Sequence, residues 1–156
     1  MKGDRAVIDA LNDLLTLELT VVNQYFVHSK MCANWGYKRL ADRFRQDAMD
    51  EMKDAEEIID RILYFEGVPN VQRLGTVALG ETPQEQLQLA LDAERGAVDL
   101  LTATIKVCDD AGDVGTREFL APKIADEEAH IDWFESQLQL IEQVGLENYL
   151  ATQIRE

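Results

Sequence analysis

Four glutamates do most to restrict what this chain can fold into. Each of four long stretches with helical periodicity carries one in the middle of an otherwise apolar row. Glu18 sits among Leu11, Leu15, Val22 and Tyr25, and Glu51 among Phe44, Ala48, Ala55, Ile58 and Ile62. Glu94 sits among Leu87, Ala90, Val98, Leu101 and Ile105, and Glu127 among Leu120, Ile124, Ile131, Phe134, Leu138 and Ile141. Positions three or four apart share a helix face, so each row faces inward and takes its carboxylate with it. A lone buried charge is costly; it must be paired, neutralised or bound to a metal. The spacings repeat, since 51 − 18 = 33 and 127 − 94 = 33. Two helical hairpins related by a pseudo-two-fold account for that repeat. In each, the second glutamate has a polar helper three residues on, His130 after Glu127 and Asp54 after Glu51.

Local signals set the helix limits. The first runs from about Arg5, capped by Asp4, to Trp35, with Gly36 as its stop. The second runs from about Lys38 to Glu66 and stops at Gly67, with Pro69 beyond. Val68 to Glu81 lacks helical periodicity and is long enough to carry the chain from one end of a bundle to the other. Thr82-Pro83-Gln84-Glu85 restarts a helix, with Thr at the N-cap, Pro at N1 and Glu at N3. That helix reaches about Ala111, and Gly112 and Gly115 mark a break. The fourth ends at Val144-Gly145, with Pro122 expected to kink it or delay its start. Glu147 to Ile154 has room for one or two more turns, stable only if packed on something.

The 156 residues make one all-α domain, residues 1–156, with a core of ordinary size. With 15 Lys+Arg against 30 Asp+Glu, the formal net charge is −15, which disfavours nucleic-acid binding and suits a collector of cations. Cys32 and Cys108 lie on separate helices without a C-x-x-C pattern and read as free buried thiols of a reducing compartment. No signal-type apolar run follows Met1, and no window approaches the roughly 18 apolar residues of a membrane span. The chain is therefore expected to be soluble and cytoplasmic.

Four carboxylates and an imidazole converging in one core suit iron, manganese or, less selectively, zinc. Glu51 and Glu127 as bridges between two metals, with Glu18 and Glu94 terminal, is the economical arrangement. The same pattern characterises the di-iron carboxylate bundles. His-Glu-x-x-His, P-loop and Rossmann signatures are absent from the sequence.

The chain also resembles the bacterioferritins over nearly its whole length. The resemblance is carried by Met1-Lys2-Gly3-Asp4, Asn23-Gln24-Tyr25-Phe26, Asp50-Glu51-Met52-Lys53, Arg61-Ile62-Leu63 and Glu66-Gly67-Val68-Pro69-Asn70. Asp126-Glu127-Glu128, His130-Ile131-Asp132-Trp133 and Gly145-Leu146-Glu147-Asn148-Tyr149-Leu150 extend it. It implies a ferritin-like four-helix bundle with a long crossover loop and a short fifth C-terminal helix, assembled into a hollow shell of twenty-four subunits. It further implies iron storage: Fe(II) is oxidised by O2 or peroxide at an intra-subunit di-iron ferroxidase centre, and ferric mineral is kept inside. Haem b at the subunit two-folds belongs to the same pattern.

By that resemblance the ferroxidase residues are Glu18, Glu51, Glu94, Glu127 and His130. Asp54 stands where the family has histidine. Its carboxylate oxygen lies two bonds beyond Cβ, as does a histidine Nδ1, so Asp54 can reach the same metal. Four carboxylates balance two Fe(II) at zero, whereas five leave −1, which is expected to favour ferric iron and weaken the ferroxidase. Met52 matches the family's haem ligand, with Leu19, Val22, Asn23, Phe26, Met49 and Lys53 as pocket neighbours. Tyr25 and Trp133 lie in register with the metal ligands, as redox-active, second-sphere or packing aromatics. Asp126 and Asp132 read as solvated or inter-subunit charges. Asn34, Glu66 and Asp132 match a family pore, which Gln139 weakens. Gln46 replaces an inner-surface histidine beside Asp50, which argues against an auxiliary inner iron site. His28 reads as a hydrogen-bonded helix residue. The alternative function is a haem-binding structural shell subunit with a weakened centre at Asp54, co-assembled with a paralogue that oxidises the iron. A rubrerythrin-type peroxidase is disfavoured by the missing C-x-x-C ligands.

Overall fold

The computed structural model describes residues 1–155 of the chain. Among them are five helices and no strand: α1 Arg5–Trp35, α2 Lys38–Tyr64, α3 Pro83–Asp110, α4 Val114–Val144 and α5 Leu146–Ala151. α1 packs against α2, α3 against α4, and α1 against α3, which makes two hairpins side by side. The all-α four-helix bundle with a long crossover and a short fifth helix is thus what forms.

The expected caps hold at α1 and α3. Asp4 accepts from the backbone N–H groups of Ala6 and Val7, and Thr82 accepts from that of Glu85. Gly36 closes α1 in the left-handed region at φ 90°. α2, however, ends at Tyr64 rather than Glu66. Phe65 turns into the core, Glu66 takes the left-handed turn at φ 61°, and the Gly67 N–H bonds back to the Ile62 carbonyl. Gly67 is needed there for space: a Cβ on it would lie 2.9 Å from the Ile8 Cγ2. Pro122 does not delay α4, which starts at Val114 with Asp113 accepting from the Thr116 N–H, and Gly115 lies inside it. Pro122 is on the exposed face, where water can serve the carbonyl it leaves without a donor.

The crossover climbs along α1. Asn12 binds Val68 and Asn70, Thr16 binds Arg73, Thr20 binds Gly75, and His28 accepts from the Gly80 N–H. Those 28 − 12 = 16 helical residues span about 24 Å at ~1.5 Å each, so these contacts follow about half of the 31-residue α1. α5 is held through Tyr149, which is buried and donates to Gln137 Oε1, and through the Gln153 carbonyl, which accepts from the Arg39 N–H.

The apolar core is divided. One cluster gathers Val21, Tyr25, Phe44, Ala48, Leu91 and Phe134; the other gathers Leu11, Leu15, Ala55, Ile58, Leu101 and Leu120. Glu18, Glu51, Glu94 and Glu127 fall between the two on their respective helices and form a polar layer across the middle. Some expected core positions lie at the margin: Val22, Val98 and Ile105 are half-buried, while Val21, Ala97 and Thr104 face fully inward. The inward row drifts because 3.6 residues per turn does not divide evenly into steps of three and four.

Candidate metal centre

Each helix delivers its glutamate in the same way, by continuing an apolar stripe through it. The four are between 1% and 4% exposed. His130, one turn beyond Glu127, brings Nδ1 to 3.5 Å from Glu94 Oε1 and to 3.8 Å from both Glu51 Oε1 and Glu127 Oε2. Two groups result, each with its ligand atoms within 4.8 Å of one another: Glu51, Glu94, Glu127 and His130, and Glu18, Glu51, Asp54 and Glu127. Glu51 and Glu127 belong to both.

Several of these atoms lack hydrogen-bond partners. Glu18 Oε2, Glu51 Oε1, Glu94 Oε2, Glu127 Oε2 and His130 Nδ1 are buried without one. Buried orphans are rare, and these five fall on the residues of the two overlapping groups, where a cation would satisfy them. Four hard oxygen donors with a single imidazole fit iron or manganese, so these side chains would hold a di-iron centre.

The electrostatics record the strain of leaving them together. Burial pushes Glu18 up to about 7, with Asp54 and Glu94 adding to the rise against a hydrogen bond from Glu51. Burial and then Glu18 raise Glu51 well above the carboxylate range. The Glu94 carboxylate raises His130 against the opposing effect of burial. Tyr25 donates its hydroxyl to Glu94 Oε1 at 2.5 Å, and burial plus that carboxylate lift its own pKa. It is therefore a direct neighbour of one of the four clustered carboxylates. Trp133 instead packs on Phe134 and under the Arg43 guanidinium, 3.9 Å from its ring centre.

One functional group escaped the sequence reading. Lys123 is buried, and its Nζ donates to Asp54 Oδ1 at 3.0 Å and to Glu57 Oε2 at 2.5 Å. Burial opposes its charge, but Glu57 and Asp54 outweigh that and hold its pKa above the ordinary lysine value. The signal was present: Lys123, Glu127 and His130 are spaced at i, i+4 and i+7, one face of α4. The ammonium also bears on the expected charge surplus. Lys123 is shared with Glu57, however: five ligand carboxylates, Glu57, one lysine and two Fe(II) sum to −6 + 1 + 4 = −1, so the charge of Asp54 is offset only in part.

A third acidic group, Asp47, Asp50 and His130, has a simpler account. Asp47 is paired with Arg43 at 3.0 Å, and Gln46 donates to Asp50. His28 accepts the Gly80 N–H at 3.0 Å, as a hydrogen-bonded helix residue. Both cysteines are free and buried, and Cys32 donates to Gln86 Oε1. Asp126, Asp132, Asn34, Glu66 and Gln139 are exposed. Met52 lies on the outer side of α2 at 38% exposed, in the same outer region as exposed Met49 and Phe26 and half-buried Leu19 and Val22. Asn23 and Lys53 are exposed. Among the described residues, no helix is long and apolar enough to cross a membrane.

Comparison with known proteins agrees with this geometry. Residues 8–144 match the family model of the ferritin-like domain. The chain is 45% identical to bacterioferritin BfrA of Mycobacterium tuberculosis (strain ATCC 25618 / H37Rv) over 151 residues, 97% of this chain and 95% of that one. It is 42% identical to the bacterioferritin of Streptomyces coelicolor over 156 residues, 100% of this chain and 93% of that one. To the bacterioferritin of Brucella melitensis it is 40% identical over 149 residues, covering 96% and 92%. A four-helix bundle crossed by a shared carboxylate layer, matched at this identity over nearly its full length, makes the chain a member of the bacterioferritin family of ferritin-like proteins.

Proposed function

We propose that this protein stores iron and is a ferroxidase: it binds Fe(II) at the Glu18, Glu51, Asp54, Glu94, Glu127 and His130 centre and passes Fe(III) to a mineral inside an oligomeric shell. The observation that carries this is the set of five unpartnered buried atoms on the residues of two overlapping ligand groups. Two Fe(II) give up one electron each, and O2 takes both with two protons to leave H2O2; added peroxide can serve as oxidant in its turn. The protein's part is to hold the substrate ions side by side. Glu51 and Glu127 face both positions, Glu94 and His130 complete one, and Glu18 and Asp54 the other. Tyr25 orients Glu94 through its hydroxyl.

The test is stopped-flow oxidation of Fe(II) under air. A fast phase that saturates at two Fe(II) per chain is expected in the wild type and lost in Glu127→Gln. Equal slow rates in both proteins would refute the reading.

We also infer assembly into a hollow shell of twenty-four subunits with haem b between paired Met52 side chains. The outer patch of Met52, Met49 and Phe26 on α1 and α2 supports such a shared pocket. Sedimentation and a Soret band after haem supplementation check the two points. The second reading is a haem-bearing structural subunit with an attenuated centre, co-assembled with an active paralogue. The Asp54–Lys123 ion pair favours it, because it engages one ligand of the second position. A wild-type fast phase excludes that reading.

A further inference from the structure

The two halves of the centre are not equivalent. Around Glu51, Glu94, Glu127 and His130 four buried atoms have no hydrogen-bond partner, and Glu18 Oε2 on the other side lacks one as well. Around Glu18, Glu51, Asp54 and Glu127 a protein cation is already in place. Lys123 Nζ lies 3.0 Å from Asp54 Oδ1, and its charge reaches Glu18. Lys123 is 7% exposed, and its Nζ is held between Asp54 and the half-exposed Glu57. Asp54, Lys123, Glu57 and His130 line one cleft of about 420 Å³, with Phe119 and Pro122 in its wall. An ion reaching the centre from that cleft meets the ammonium beside the ligand it needs.

Resting on the dinuclear reading above, we propose that Lys123 is a positioning residue that divides the centre into one tight and one weak, exchangeable divalent-cation position. It does so by holding Asp54 in an ion pair and placing a fixed positive charge beside the Glu18 side. The position of Glu51, Glu94, Glu127 and His130 fills first and stays filled. The position of Glu18 and Asp54 takes its ion only by drawing Asp54 from Lys123, against like-charge repulsion, and so releases it readily. The ion leaving from that side is the one able to move on.

The test is anaerobic titration of the intact metal-free protein with Co(II), followed by calorimetry and by the ligand-field absorption of the bound ion. Glu127→Gln serves as the blank for ions held elsewhere on the acidic surface. The wild type is expected to take one Co(II) per chain tightly and a second at least tenfold more weakly. Lys123→Met should tighten the second step at least tenfold and bring the two together, while Lys123→Arg, which keeps the charge, should preserve the wild-type gap. Should Lys123→Met fail to fold with Asp54 and Glu57 left unpaired, Lys123→Gln carries the same expectation, because it neutralises the charge but still donates to Asp54. Two wild-type steps of equal affinity, or a gap unchanged in the neutral variants, would overturn the inference and leave the dinuclear centre standing. Wild-type binding no greater than that of Glu127→Gln would overturn both.

Discussion

Removing the negative charge of Glu18 should stabilise the metal-free protein while destroying part of its metal site. Glu18 is 4% exposed, so its shift needs no discount for solvent screening. Its pKa rises from 4.5 to about 7, chiefly through burial. At ~1.36 kcal/mol per pKa unit, that difference is worth about 3 kcal/mol. The sign follows from which state binds more protons. Below pH 4.5 the carboxyl is protonated whether the chain is folded or not, and Glu18→Gln, which mimics that form, gains little. As pH rises from 4.5 towards 7 the unfolded chain releases its proton first, and the folded state is progressively penalised. Above about 7 the penalty is complete, and Glu18→Gln should exceed the wild type by about 3 kcal/mol, or roughly 6–12 °C in Tm for a chain of this size. The assay is thermal unfolding in chelator from pH 4.5 to 8.5, at matched subunit concentration and with matched assembly confirmed by sedimentation. Added Co(II) should reverse the ranking, because an ion that binds only the folded state stabilises the protein with more ligands more strongly. A gap that stays constant with pH, or a less stable Glu18→Gln at pH 8 without metal, would refute the reasoning.

Four further outcomes follow from individual contacts. Tyr25→Phe removes the hydroxyl that donates to Glu94, so calorimetry should show a loss of about 1.5–3 kcal/mol, and stopped-flow a slower Fe(II) oxidation. Asp54→His leaves Lys123 paired with Glu57 alone and sets two basic groups together, so it should slow the fast phase; Asp54→His with Lys123→Met should recover more than the sum of the single changes, as a double-mutant cycle in oxidation rate will show. Gly80→Ala would press its Cβ to 2.6 Å from the Gln86 backbone nitrogen and should cost about 1–3 kcal/mol, whereas Gly96→Ala, in an exposed helical position with no neighbour within 4 Å, should add roughly 0.5–1 kcal/mol; paired denaturant titrations distinguish them. Met52→Leu should abolish the Soret band gained on haem supplementation, and an unchanged band would remove Met52 as a haem ligand.

Much of the fold was legible because the signals were local or periodic. Asp4, Gly36, Thr82 and Pro83 act within one turn of the helix ends they mark, and they marked them correctly. The end of α2 was misplaced because Gly67 was read for its backbone freedom when its role is to make room for Ile8 and Ile62. Side-chain crowding between segments far apart in sequence leaves no trace in a local pattern. The delay expected at Pro122 does not occur for a related reason: a proline's cost depends on which side of the helix it faces, and this one is exposed. The four glutamates were legible because an acid in an apolar row is anomalous wherever it occurs.

Lys123 shows where that kind of reading stops. An acid among apolar residues attracts notice, but a lysine beside Pro122 and Ile124 passes for a surface residue, since its long stem allows the head to reach water. Its significance depends on Asp54, 123 − 54 = 69 residues away on another helix, and neither makes sense alone. Read singly, Asp54 looks like a damaged ligand and predicts an overcharged, weakened centre. Read with Lys123, which it shares with Glu57, Asp54 has part of its charge offset by an ammonium on its own side of the site. What changes is then chiefly the distribution of charge between the two halves of the site. A centre altered in this way loses symmetry before it loses capacity, so it is the order and strength of metal binding that should depart from an even pair.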